Sequence, residues 1–246
     1  ECRSDNGGYM ELLQPKSWSR LKALLKVDFY VVRYPLLVLI ILSIIACIYP
    51  EASRCSAKWE GNEPAVYTKC YRYIQFYPAI LIAFMTGEIF EETFRPAPKE
   101  YIRTLGLSPV TLLLKRTIFW WSVFLTIEML PIIVLFSKIN ASVVGRVPII
   151  PLYIPIFHCA IAYASYIAII QFLLALAKEK AIPITLFMAY CAMESGSFHI
   201  IFGSYSVFRG AFNAQDYYHI FPQNIMCMVI AMPVLYTVVY FLNKKR

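Results

Sequence analysis

Two glutamates stand inside otherwise charge-free apolar runs, Glu128 within residues 117–137 and Glu194 within residues 181–208. An ionised carboxylate at mid-membrane costs about 2.5–3.5 kcal/mol on insertion scales, so such groups face a bundle interior or a water-filled cavity. There a carboxylate can bind a cation, carry a proton, line a translocation path or dimer interface, or lock helices through a hydrogen bond. Glu194 opens the polar stretch Glu194-Ser195-Gly196-Ser197-Phe198-His199. On a helix, Ser197 shares its face in such a path or interface, Ser195 stands about 100° around, and His199, further around still, is the weaker candidate. A second acidic group, Glu88, Glu91 and Glu92, closes another apolar run and reads as an interaction surface.

Metal chemistry is not expected. His158, His199 and His219 are scattered among aromatic residues, and no two stand at ligand spacing. Of the seven cysteines, Cys47, Cys159, Cys191 and Cys227 lie in apolar runs and read as small hydrophobes. Cys55 and Cys70 flank a hydrophilic stretch. If that stretch faces an oxidising exterior, a disulfide between them is permitted, and its loop would contribute about 3 kcal/mol in the chain-entropy picture. The chain has no G-x-x-x-x-G-K-[S/T] segment to wrap phosphates, no G-x-S-x-G nucleophile elbow and no H-E-x-x-H helix.

The elements that must position these residues are six apolar runs. Residues 34–50, 73–87, 147–177 and 217–243 carry no charge, and the runs holding Glu128 and Glu194 complete the set. A hydrocarbon core of about 30 Å needs roughly 20 helical residues. The backbone finds no partner in lipid, and these runs lack the alternation of barrel strands. The expected fold is all-α: a polytopic membrane protein with six transmembrane helices. Residues 1–15 read as a flexible leader and 16–246 as one domain, because too little remains outside lipid for a second.

The net charge of +8 is a matter of topology. Only Arg54, Lys58, Lys69, Arg72, Lys138, Arg146 and Arg209 fall on one side of the predicted spans; the rest of the 23 basic residues fall on the other. The positive-inside rule then places both termini in the cytoplasm of a cell-membrane protein, with no nucleic-acid partner. Ahead of the first span, Trp18, Leu21, Leu25, Phe29 and Val32 recur at spacings of three and four, flanked by Lys22, Lys26 and Arg33. The pattern predicts an amphipathic helix in the membrane interface, turning into the bilayer at Tyr34-Pro35; the alternative is a spanning helix that starts earlier. Residues 204–223 are rich in aromatic side chains and are expected to dip into the bilayer or pack on the bundle.

The most structured connection is residues 91–116. Pro96 and Pro98 end a helix, residues 99–107 form a short one, and Ser108-Pro109 restarts the next. Lys115 and Arg116 are expected to snorkel toward the interface. Here the chain resembles the permease subunits of type-2 ABC exporters, in their small six-span bacterial form. The match reads Glu88, Glu91 and Glu92, then Glu100-Tyr101-Ile102-Arg103-Thr104-Leu105-Gly106-Leu107-Ser108-Pro109-Val110-Thr111, then Lys115-Arg116. Thr93-Phe94-Arg95-Pro96 replaces the family's Gly-Thr, and Thr111 stands where Ser is common.

The resemblance implies a dimer of six-span subunits, each docking a separate nucleotide-binding ATPase through a coupling helix. Glu88, Glu91, Glu92, Glu100, Tyr101, Arg103, Leu105 and Pro109 would form the coupling region. The chain itself would hold no cofactor, ATP and Mg sitting on the partner, and would not be an enzyme; it would export an amphipathic peptide, antibiotic or lipid. Two rival readings differ in class. A glutamate-type intramembrane protease fails on spacing, since Glu91-Glu92 has two residues before Arg95 instead of three and no Phe stands four before a His. A proton-coupled carrier built on Glu128 and Glu194 fits six unrepeated helices poorly.

Overall fold

Residues 153–177 carry no charge, are apolar on every face, and bury most of their surface. In the computed structural model they form the helix around which the others pack. The structure describes residues 15–48, 72–94, 109–142, 151–177, 179–195 and 217–244. Six α-helices run through them: α1 Pro15–Ile48, α2 Tyr77–Phe94, α3 Pro109–Ser142, α4 Tyr153–Ala177, α5 Ala181–Ser195 and α6 Tyr217–Lys244. There is no strand among the described residues. Helix α4 touches α2, α3, α5 and α6, while α1 lies against α2 and α3. Its apolar side chains point in all directions, as expected of a helix walled by neighbours on every side.

Four helices are long and apolar enough to cross a membrane: Leu21–Ile48, Tyr73–Glu91, Thr111–Lys138 and Tyr153–Ala177. Four of the six predicted spans are therefore borne out by length and composition, and the chain is a helical membrane protein. Within α5 and α6 the described residues hold shorter apolar stretches, Ala181–Met193 and Met228–Tyr240. At 1.5 Å per residue the described part of α5 extends about 22 Å.

The start of the chain corrects an expectation. The predicted break at Tyr34-Pro35 does not occur; α1 runs unbroken from Pro15 to Ile48 with Pro35 inside it. Proline removes one backbone donor, leaving the carbonyl four residues earlier without its helical partner. Side-chain bonds to α3 hold α1 on both sides of that position, through Asp28 below and Ser43 above. The predicted stripe also shifts. Leu21, Asp28, Val32, Leu39, Ser43 and Ala46 form the buried face, and Phe29 is partly exposed at 38%.

A second proline shapes α2. A π-helical turn, Arg72–Phe76, leads into it, and Pro78 follows. Pro78 has no N–H to give the carbonyl of Ile74. The hydroxyl of Tyr163 on α4 donates to that carbonyl instead. The bulky core lies between these helices, with Trp120, Tyr163, Tyr166, Phe90, Phe124 and Phe136 fully buried.

Candidate functional site

At one end of the bundle, where α1 and α3 enter the span, charged and polar groups from nearly every helix converge; we term this the proximal end. Arg116, about two turns into α3, is buried at 4% exposure, and Asp28 of α1 faces it at 5%. The guanidinium grips the carboxylate with two bonds, Nε to Oδ2 at 3.0 Å and Nη2 to Oδ1 at 2.5 Å. It also donates to the Thr93 hydroxyl at 2.9 Å and the Ile89 carbonyl at 2.8 Å, both on α2. The Phe90 ring lies 5.2 Å from its carbon centre. The Trp120 indole completes the set by donating to Asp28 Oδ2 at 3.2 Å. A buried charge pair persists only when its remaining hydrogen-bonding capacity is met, and here it is met from three helices.

The next residue extends the junction. Thr117 donates to the Leu113 carbonyl and accepts from the Gln171 amide of α4 at 2.7 Å. Tyr236 of α6 lies beside the same side chain. Arg116 and Thr117 together thus tie α1, α2, α3 and α4 by hydrogen bonds.

Helix α5 is fastened separately. The Lys180 ammonium lies 2.7 Å from Glu88 and 3.6 Å from Glu91, and its backbone N–H donates to Glu91 Oε1 at 3.4 Å. The Glu88 hydrogen bond, followed by the charges of Glu88 and Glu91, raises the lysine's proton affinity above its ordinary value. One turn before Glu91, Gly87 lets α5 come close: a Cβ there would meet Ile184 Cδ1 at 2.8 Å and Cγ1 at 3.1 Å.

Deeper in the bundle, Glu128 is buried at 1% exposure. Its Oε1 lies 2.8 Å from the Ser43 hydroxyl, which is also 2.8 Å from the Leu39 carbonyl. This contact joins α1 to α3 a second time. Near the far, distal end, Lys138 of α3 donates to the Cys47 carbonyl of α1 at 2.7 Å, a third tie between the same helices.

Of the residues read from the sequence, the structure brings Glu88 and Glu91 together through Lys180, and it buries Glu128 within the bundle. Glu92 lies on α2, Pro109 opens α3 and Glu194 lies in the last turn of α5. Glu100, Tyr101, Arg103, Leu105, Ser197, His199, Cys55 and Cys70 lie outside the described residues. Arg116 is a correction: it turns inward to Asp28 rather than snorkelling to the interface. Asp28 was missed altogether. Its signal was present, because it stands three residues after Leu25 and four before Val32, on the apolar stripe rather than beside it. No group of three or more His, Cys, Asp or Glu side chains able to hold a metal occurs among the described residues.

No family model matches the chain, and neither a curated protein nor a solved structure does so.

Proposed function

We propose that this chain is the membrane-spanning subunit of an ATP-driven exporter of the type-2 ABC kind, working as a dimer in the cell membrane. ATP and Mg would act on a separate partner ATPase, and the cargo would be an amphipathic peptide, antibiotic or lipid-like molecule. The observation that carries the reading is the Arg116 junction. Residues 95–108, the stretch with the coupling-helix pattern, leave α2 just after Thr93 and rejoin at α3, two turns before Arg116. One buried side chain therefore fixes both flanks of that stretch to each other and to Asp28 of α1. A push on residues 95–108 by a soluble partner would be passed to three spans together, as ATP-driven gating requires. Termini on the cytoplasmic side, as the distribution of basic residues suggests, put this end where an ATPase would meet it.

The test is purification of the full chain from its native membranes under mild detergent, with mass spectrometry of what accompanies it. A Walker-motif ATPase should co-purify, and Leu105→Glu should lower its retention or its transport-coupled hydrolysis while the bundle keeps its helical content. Buried Glu128, close to mid-span, favours a proton-coupled carrier as the second reading. Transport that persists without ATP, collapses with a protonophore and fails in Glu128→Gln would establish that reading and overturn the first.

A further inference from the structure

Helix α1 presents one long face to the outside of the bundle. On a helix of 3.6 residues per turn, Lys22, Lys26 and Arg33 fall within an arc of about 40°. All three are exposed. Leu37 and Ile44 continue the same stripe toward the distal end, exposed at 53% and 47%. The stripe is thus cationic for its first three turns and aliphatic thereafter.

Depth can be read from the ties between α1 and α3. Side-chain bonds tie Asp28 to Arg116 near one end of the pair and Cys47 to Lys138 near the other. The 19 residues from Asp28 to Cys47 rise about 28 Å, close to the thickness of a hydrocarbon core. With Asp28 taken as the proximal boundary, Arg33 attaches about 7 Å inside it, while Lys26 and Lys22 attach about 3 Å and 9 Å outside, among headgroups. An arginine at that depth facing away from the bundle is costly unless its charge is met. Two exposed rings hold it: Tyr30 at 4.3 Å and Tyr34 at 4.6 Å from the guanidinium carbon, with the Tyr34 hydroxyl accepting a 3.2 Å bond. Helical side chains tilt toward the helix N-terminus, so Arg33 leans toward the level of the two lysines. The rings stack on the guanidinium but supply no negative charge.

We propose that this face of α1 binds an anionic phospholipid, its phosphate held by Arg33, Lys26 and Lys22 and an acyl chain laid along Leu37 and Ile44. The occupant is fixed by complementarity along one line: three cations at headgroup depth, followed by an aliphatic surface at acyl-chain depth. The inference is independent of the exporter reading, since it uses neither residues 95–108 nor an ATPase.

The full chain, delipidated in a non-ionic detergent, is titrated with phosphatidylglycerol and with phosphatidylcholine, and bound lipid is counted by native mass spectrometry. The unmodified chain is expected to favour phosphatidylglycerol at least tenfold. Each basic group near a membrane surface contributes about a fivefold preference for anionic lipid. Arg33→Gln should therefore reduce the preference about fivefold, and K22Q/K26Q/R33Q should abolish it. Arg33→Lys should keep most of the preference, and Lys115→Gln, an equal charge change on α3, should leave it unaltered. Helical circular dichroism and elution volume establish that each variant is folded, and Arg33→Gln alone decides the matter if the triple variant is not. Equal affinity for the two lipids, an undiminished preference in folded Arg33→Gln, or an equal loss in Lys115→Gln would overturn the proposal. So would displacement of the lipid by millimolar inorganic phosphate, which would assign the site to a soluble anion.

Discussion

The Asp28–Arg116 pair is the residue-scale feature with the sharpest consequences. Removing one partner leaves the other charge buried alone, which costs about 3–5 kcal/mol, whereas replacing both with apolar side chains is often neutral or stabilising. Arg116→Met and Asp28→Leu should each lower the thermal midpoint of the detergent-solubilised chain substantially, and D28L/R116M should recover most of the loss. If the junction transmits force, the double variant will fold yet couple ATP hydrolysis to transport poorly, which a transport-to-hydrolysis ratio would show. Tyr163 offers a second test. Burial of the Ile74 carbonyl without a donor costs about 1–3 kcal/mol, so Tyr163→Phe should destabilise by that amount. In a Pro78→Ala background the helix can supply its own N–H, and the same substitution should cost less; a double-mutant cycle measured by thermal unfolding reads the difference.

At the scale of elements, α5 depends on α2 through one close approach and one charged clamp. Gly87→Ala puts a methyl against the flexible end of Ile184, and Gly87→Leu exceeds the space available. Overpacking costs about 1–3 kcal/mol, so the leucine variant should lose stability and G87A/I184A should restore what Gly87→Ala loses, as thermal unfolding would show. The clamp also has a pH sign. Lys180 binds its proton more tightly in the folded chain than in the unfolded one, so its contribution is complete below the ordinary lysine range. That contribution is lost as pH rises through the elevated folded value. The side chain is 39% exposed, so solvent screens the effect and the loss is small. A thermal-midpoint profile should fall more steeply at high alkalinity in the parent than in Lys180→Met. The apolar runs announced four of these helices as spans, because length and hydropathy alone define a span. Continuity of α1 was not legible, because Pro35 reads locally as a break while the bonds that override it come from α3. Asp28 was hidden for a related reason: beside Lys22, Lys26 and Arg33 a carboxylate looks like one more solvated charge, and only its register marks it as inward.

At the scale of the whole molecule, the polar ties among the described residues gather at the proximal end and thin out distally. The Arg116–Thr117 hub joins four helices and Lys180 adds α5, whereas the Lys138–Cys47 bond joins two. A bundle fastened this way has a stiff base, and hydrogen exchange should be slowest for amides around Ile89 and Leu113 and faster near Lys138. Orientation is testable with the same landmarks. A cysteine at exposed Glu179 should react with a membrane-impermeant thiol reagent only after cells are opened, and one at Lys138 should react in intact cells. The reverse pattern would invert the topology and remove the proximal end from an ATPase's reach.

Asp28 also sets a schedule for making the protein. Its partner Arg116 is encoded 88 residues later. At ribosomal rates of about 5–20 residues per second, the carboxylate waits about 4–18 s for its counter-charge. During that interval α1 is a marginal insertion substrate, with an acid on the very face that will later be interior. A nascent chain arrested at residue 108 should be held by the insertion machinery or degraded quickly, and one arrested at residue 142 should be stable. Asp28→Leu should abolish that difference, relieving the nascent chain of its wait at the expense of the finished bundle.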